Sequence, residues 1–152
     1  MNKCKCSENN SFGNFHQDQT ITLDLGSPIP FNKQGEINNV FLANSDTISI
    51  VNKGIYSVTY VVTYLQPSVG LSEPVISLFV NGAENQGTKF GVVSNNLGAV
   101  DDMCLQITGL SIISLSSGSK LQLRIDSVDE FTQGTICGVT TNSAAINLIQ
   151  IN

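Results

Sequence analysis

A long run of alternating residues begins at Gly54 and constrains the fold more than any other stretch of the chain. From Tyr56 to Tyr64, tyrosine and valine occupy every second position, and the residues between them are Ser57, Thr59, Val61 and Thr63. A period of two, with β-branched and aromatic residues throughout, is typical of a β-strand. A VNKG turn at positions 51–54 separates it from a shorter strand-like run at 47–51. We therefore predict a long β-strand around which the other elements are arranged.

All three tyrosines of the chain lie on one face of this predicted strand. Each ring buries a large apolar area, while its hydroxyl still requires a hydrogen-bond partner. Such a cluster indicates a buried contact surface, either within the core or between subunits. Because Val61 adds an apolar residue on the opposite face, both faces of the strand need to be covered. We expect Tyr56, Tyr60 and Tyr64 near a subunit contact, with an intramolecular core as the alternative.

The chain from Ile21 onward is a series of short strand-like runs separated by turn residues. Asn81-Gly82 is the strongest hairpin signal, and Gly109 is predicted to be a β-bulge between two parts of one strand. No segment of more than ten residues has the helical period. The sequence therefore predicts an all-β fold, a sandwich or jelly roll of about ten antiparallel strands.

The first twenty residues differ from this body because they are polar and rich in Asn, Ser and Gln. Their composition predicts a flexible N-terminal tail over residues 1–20 and a folded domain over residues 21–152. Phe12 and Phe15 are isolated aromatics in the tail, and we expect them to dock on a neighbouring subunit. A tail without a function is the alternative. Deletion of residues 1–18 is accordingly expected to abolish polymers and leave the body folded.

The composition limits the kinds of partner. Charged residues make up only 12% of the chain, and the net charge is −5 with seven basic residues and no basic stripe. A weakly charged surface tolerates packing against copies of itself, and nucleic acid is not an expected partner. No apolar run is long enough for a transmembrane helix, and the N-terminus has no apolar signal-peptide region. We expect no membrane partner and synthesis in the cytosol.

The search for catalytic chemistry is negative. The only histidine, His16, lies in the predicted tail, where it cannot form a positioned Ser-His-Asp or Cys-His arrangement. The acidic pairs Asp101-Asp102 and Asp129-Glu130 do not match a calcium-binding loop and are interpreted as solvated loop residues. We predict that the chain is not an enzyme and has no cofactor and no metal site.

Four cysteines, Cys4, Cys6, Cys104 and Cys137, are candidates for cross-links. They form no C-x-x-C pair, so a zinc site is a weak interpretation. The alternation around Cys104 places its thiol on the strand face opposite the apolar residues Met103, Leu105 and Ile107. Cys104 and Cys137 as two small buried hydrophobic residues are the alternative, and the sequence does not define the connectivity.

Several motifs in order carry a resemblance to a known group of proteins. They are GIYSV at 54–58, LFVNG at 78–82, LSSGSKL at 115–121 and NLIQ at 147–150. Residues 28–152 resemble the globular domain of Bacillus spore-surface proteins. These are the C-terminal domain of the collagen-like exosporium glycoprotein and the basal-layer anchor proteins related to it. That domain is a jelly roll of the tumour necrosis factor and complement globular-head superfamily.

The resemblance implies a homotrimer that serves a structural role at the spore surface. The chain has no Gly-X-Y repeats ahead of the domain, so it is more similar to an exosporium anchor or a subunit of an endospore appendage fibre. Partners would be further copies of the chain and other exosporium proteins, including a collagen-like glycoprotein. Mother-cell synthesis without a signal peptide would let the cysteines oxidise after assembly. Although the sequence does not define the connectivity, our own expectation from the exposed strand face of Cys104 is a bond from Cys4 or Cys6 to Cys104. The alternative function is a trimeric head that binds a carbohydrate or receptor through its loops.

Overall fold

The computed structural model describes residues 10–66, 71–95, 103–127, 133–138 and 141–152. Within them the chain forms fourteen strands and no helix. The strands are β1 (Phe12–Gln17), β2 (Ile21–Asp24), β3 (Lys33–Asn38), β4 (Val40–Asn44), β5 (Thr47–Ile50), β6 (Gly54–Gln66), β7 (Leu71–Ser72), β8 (Pro74–Val80), β9 (Ala83–Gly91), β10 (Ser94–Asn95), β11 (Met103–Leu115), β12 (Lys120–Ser127), β13 (Gln133–Ile136) and β14 (Ala144–Gln150).

Two antiparallel sheets form a sandwich, which confirms the predicted all-β class. The larger, seven-stranded sheet contains the order β3-β1-β14-β6-β11; β13 also pairs with β6, beyond the end of β14, and β2 pairs with β13. The smaller, five-stranded sheet has the order β4-β5-β12-β8-β9. The number of strands exceeds the predicted ten because β1, β3 and the two-residue strands β7 and β10 have no clear alternation of apolar residues in the sequence.

The long strand β6 is the centre of the larger sheet. It pairs with β11 along its full length, from Gly54 opposite Leu115 to Gln66 opposite Met103, and with β14 on its other edge. Residues on one face are buried and those on the other are half-buried, apart from Ile55, which is more exposed. This confirms the alternation that the sequence indicates.

The three tyrosines lie in the core of their own chain. Tyr56, Tyr60 and Tyr64 are at most 2% exposed, so their rings have no surface to offer a partner. The prediction that they form a subunit contact is therefore wrong, and the intramolecular alternative is correct. The Tyr60 hydroxyl crosses the core to the smaller sheet, 2.9 Å from the carbonyl oxygen of Ile76 and 2.5 Å from that of Thr88. Burial raises the pKa of Tyr60 well above its ordinary value.

Gly109 is not a bulge. The pairing of β11 with β6 continues through Gly109 without a shift in register. A Cβ atom at position 109 would overlap the ring and hydroxyl of Tyr60, which lies opposite. Glycine is required here because the tyrosine ring packs directly on the backbone of β11.

The segment Phe12–Gln17 belongs to the sandwich, not to a tail. It forms β1, which pairs with β14 on one side and β3 on the other. Phe15 is completely buried and its ring centroid lies 6.5 Å from that of Phe31, whereas Phe12 is half-buried on the outer face of the sheet. The predicted boundary between residues 20 and 21 is therefore wrong, as is docking of Phe12 and Phe15 as tail residues. Residues 1–9, with Cys4 and Cys6, lie outside the described residues.

A disulfide joins Cys104 to Cys137 within one chain. Cys104 is in β11 and Cys137 follows β13, and both of these strands pair with β6. The bond therefore links the two neighbours of the central strand at one end. Cys104 is exposed, in agreement with the predicted orientation of its thiol, and Cys137 is 8% exposed. The prediction that Cys104 bonds to Cys4 or Cys6 is wrong for this structure, because its sulfur is already bonded.

We expect a Cys104→Ser/Cys137→Ser variant to lose stability. The closed loop spans 33 residues of sequence separation, so its loss is expected to lower the free energy of unfolding by about 3 kcal/mol, chiefly by freeing the unfolded chain. Urea denaturation followed by circular dichroism gives the difference. A Cys4→Ser/Cys6→Ser variant is the control and should unfold at the wild-type midpoint. An unchanged midpoint for wild type after full reduction would contradict the prediction.

Candidate interaction surface

The outward face of the larger sheet carries rows of side chains that cross four strands. The register of β11, β6, β14 and β1 aligns three such rows, which we call the outer rows. The first is Ile112, Ser57, Ile149 and Phe12; the second is Leu110, Thr59, Asn147 and Asn14; the third is Thr108, Val61, Ala145 and His16. None of these twelve residues is Asp, Glu, Lys or Arg.

The apolar members of the outer rows are unusually open to solvent. Ile112 is 66% exposed, Leu110 61% and Ile149 55%. Leu110 and Ile112 are neighbours on the outward face of β11, and Ser57 of β6 lies between Ile112 and Ile149. Ile55 and Ile151 extend the apolar area beyond the first row. Single exposed apolar residues are common on soluble proteins, but a contiguous patch of them marks an interaction site.

A groove of about 570 Å³ opens on the same face, over β1 and β14. Phe12 and Ile149 provide apolar lining, and Asn14 and Asn147 are joined there by a side-chain hydrogen bond. Gly35 in β3 leaves room for the Asn14 amide, because a Cβ there would lie 2.7 Å from its oxygen. The groove thus combines apolar lining with a fixed, uncharged polar pair, and the acidic Glu36 also lines it.

The outward face of the smaller sheet is chemically different. Arg124 lies over the ring of Phe79, 4.3 Å from its centroid, and donates hydrogen bonds to the side chain of Gln122 and the carbonyl of Gly26. A hydrogen bond from Ser77 lowers the pKa of the Glu84 carboxyl. These groups make hydrogen bonds to one another, although Nε of Arg124 is buried without a partner. Among the described residues, it is the larger sheet whose outward face carries Leu110, Ile112 and Ile149, each more than half exposed.

Among the residues that the structure describes, the other candidates do not assemble into a chemical site. His16 ends the third outer row and is the only titratable side chain in those rows. No group of three or more His, Cys, Asp or Glu residues that could hold a metal ion occurs in the described part of the chain. The acidic pairs at positions 101–102 and 129–130 lie outside that part. Among the described residues, no helix has the length and apolarity to cross a membrane.

Sequence reasoning missed the apolar members of the outer rows, although a signal for them exists. Ile112 precedes Ile113, and Leu148 precedes Ile149. Because successive side chains in a strand point to opposite faces, two adjacent apolar residues place one of them outside the core. Ile113 and Leu148 are buried, and their neighbours are exposed.

Comparison with solved structures defines the fold. The globular domain of zebrafish complement 1qA superposes with a TM-score of 0.63 at 13% identity, covering 93% of this chain and 98% of that one. The tumour necrosis factor Eiger of S. frugiperda superposes with a TM-score of 0.68 at 11% identity, covering 94% and 92%. The chain has the jelly-roll fold of these two domains. No protein-family model and no curated protein sequence matches it. The similarity therefore confirms the jelly-roll fold, with no finding on a spore-surface identity.

Proposed function

We propose that this chain is a non-enzymatic structural subunit of the bacterial spore surface that self-associates into a homotrimer and then into an appendage fibre or exosporium anchor. The uncovered apolar face formed by Leu110, Ile112 and Ile149 is the observation that carries self-association. The spore-surface role and location are supported by the sequence motifs that resemble those proteins. The jelly-roll fold adds support, since the resemblance is to domains that form homotrimers.

Charge supports a second copy as the occupant of this face. The chain has a net charge of −5, so two copies repel each other in most orientations. The outer rows contain no acidic or basic side chain apart from His16, which allows copies to meet there without that repulsion. An acidic or basic partner would gain no complementary charge from this face.

In this proposal, the part of the N-terminal tail that joins one subunit to the next is limited to residues 1–9. Residues 12–17 are held in β1, so they cannot leave the domain to reach a neighbour. Nine extended residues span on the order of 30 Å, enough to cross a subunit contact. Cys4 and Cys6 could bond to each other or to the same cysteines of another copy, because Cys104 and Cys137 are already joined.

We expect Ile112→Asp to abolish the trimer while the chain stays folded. An unpaired carboxylate buried in each subunit contact costs about 2–5 kcal/mol, and Ile112 is exposed in the monomer, so folding does not require it. Light scattering after size-exclusion chromatography measures the mass, and circular dichroism monitors the fold. Phe41→Asp is the matched control, since Phe41 is a 43% exposed apolar residue in β4 of the other sheet.

Two results would contradict this function. A monomeric wild type at micromolar concentration would remove self-association, and an intact Ile112→Asp trimer would place the contact elsewhere. Electron microscopy of purified wild type then distinguishes the structural role from the alternative. Long ordered polymers support a fibre subunit, whereas discrete trimers with saturable ligand binding support a carbohydrate- or receptor-binding head.

A further inference from the structure

The turn between β8 and β9 contains the only Asn-Gly dipeptide of the chain. Asn81 and Gly82 both have left-handed backbones, with φ of 51° and 84°, and connect Val80 to its cross-strand partner Ala83. This is the geometry of a two-residue type I′ hairpin, as the sequence predicts. Both turn residues are exposed to solvent.

We propose that Asn81 is a site of spontaneous deamidation. The backbone nitrogen of Gly82 attacks the side-chain Cγ of Asn81, its proton passes to water, and the side-chain NH₂ leaves as ammonia. Water then opens the resulting succinimide ring at either carbonyl, which yields aspartate or isoaspartate. The net reaction consumes one water and releases one ammonia, and it needs no oxidant, cofactor or second protein.

The surroundings of Gly82 favour this attack. Apart from Gly82 itself and its chain neighbours Asn81 and Ala83, no atom lies within 4 Å of the position that a Cβ would occupy, so no side chain from elsewhere blocks the ring there. Because both turn residues are exposed, solvent base has access to them. Within the described residues, the Gly82 amide makes no hydrogen bond that would hold its proton. Glycine is also the residue that least hinders closure of the ring, because it has no side chain.

The neighbouring strand β12 contributes a hydrogen bond at the reacting amide. The backbone N–H of Lys120 donates to the Asn81 side-chain oxygen at 2.8 Å, and the Asn81 N–H donates to the Lys120 carbonyl at 2.8 Å. Negative charge develops on that side-chain oxygen when Gly82 attacks, so the Lys120 N–H stabilises the tetrahedral intermediate. Ring closure brings the Gly82 nitrogen toward the Asn81 side chain, so the end of the β8–β9 hairpin has to open while Asn81 keeps its hydrogen bonds to Lys120 of β12.

The two products have different structural consequences. Aspartate keeps the backbone of the turn, and its carboxylate accepts the same hydrogen bond from Lys120. Isoaspartate routes the backbone through Cβ and Cγ, which adds a carbon atom to a turn that has only two residues. The left-handed pair at positions 81 and 82 cannot be kept with this longer backbone, so isoaspartate separates the ends of β8 and β9.

Peptide mapping by mass spectrometry tests the site. Wild-type protein is incubated folded at mildly alkaline pH, and each peptide is followed for replacement of the side-chain NH₂ by OH. Asn44 and Asn142 serve as internal comparators, because each is exposed and followed by the small residue serine. We expect conversion of Asn81 before any conversion at these two positions. Earlier conversion of either comparator overturns the proposal. A second sample is incubated unfolded in urea, and the proposal is also overturned if Asn81 of the folded protein is still intact when Asn81 of the unfolded sample has been consumed.

The products are separated by a second measurement. The Asn81→Asp variant supplies the aspartate form directly and should unfold at the wild-type urea midpoint. Aged wild type should contain an added fraction that unfolds at lower urea and that carries the isoaspartyl peptide. If the fraction with isoaspartate is as stable as the Asn81→Asp variant, the structural consequence assigned to this site is wrong.

Discussion

Deletion of residues 1–17 is expected to leave a chain that does not fold. The deletion removes β1, which lies between β14 and β3 and pairs with both. It also removes Phe15, which is completely buried against the core. Truncation of a buried phenylalanine alone costs about 3–5 kcal/mol, while a whole domain is stable by only about 5–15 kcal/mol. Loss of the strand in addition exposes the edge of β14 in the middle of the sheet.

The matched control is deletion of residues 1–9. Strand β1 begins at Phe12, and this shorter deletion keeps every contact of the described residues, which begin at Asn10. It should therefore retain the wild-type near-ultraviolet circular dichroism and urea midpoint. The longer deletion should show neither a cooperative transition nor dispersed amide signals in nuclear magnetic resonance. If the fragment of residues 18–152 unfolds cooperatively at the wild-type midpoint, then β1 is not needed for folding and is a detachable tail.

The different predictability of β6 and β1 has a physical reason. β6 has buried aromatic or β-branched residues at every second position over most of its length, so its period is visible in the sequence alone. The inward residues of β1 are Gly13, Phe15 and Gln17, of which only one is apolar. Gln17 is buried because its side-chain amide donates to the carbonyl of Pro30. Such a strand is defined by its pairing with distant segments, which local pattern does not report.

The tyrosines illustrate a second limit. Alternation shows that Tyr56, Tyr60 and Tyr64 share a face, but it does not show whether that face meets the opposite sheet or another chain. The decision depends on the second sheet, whose Ile76 and Thr88 carbonyls accept from Tyr60. The disulfide could not be predicted from the sequence for the same reason, because Cys104 and Cys137 become neighbours only when β11 and β13 both pair with β6.

Substitution of Gly109 by alanine is expected to be strongly destabilising, by about 3 kcal/mol, the upper end for overpacking of a core. Alanine normally stabilises a strand relative to glycine by about 0.5–1 kcal/mol, so the sign of the effect is diagnostic. At position 109 the added Cβ overlaps Tyr60, and the ring cannot move away because its hydroxyl is held by two carbonyls of the opposite sheet. Gly87→Ala in β9 is the matched control, since its nearest neighbour is the end of the Asn85 side chain at 3.3 Å.

A double-mutant cycle shows whether Tyr60 is the cause. Tyr60→Leu removes the ring atoms that the Cβ at position 109 would overlap, at its own cost in stability from the lost area and hydrogen bonds. In that background the Gly109→Ala substitution should cost far less than in wild type, because residues in contact are energetically coupled. Urea denaturation of the four proteins gives the coupling free energy. An equal cost of alanine in both backgrounds would mean that glycine is needed at position 109 for a reason other than the packing of Tyr60 on β11.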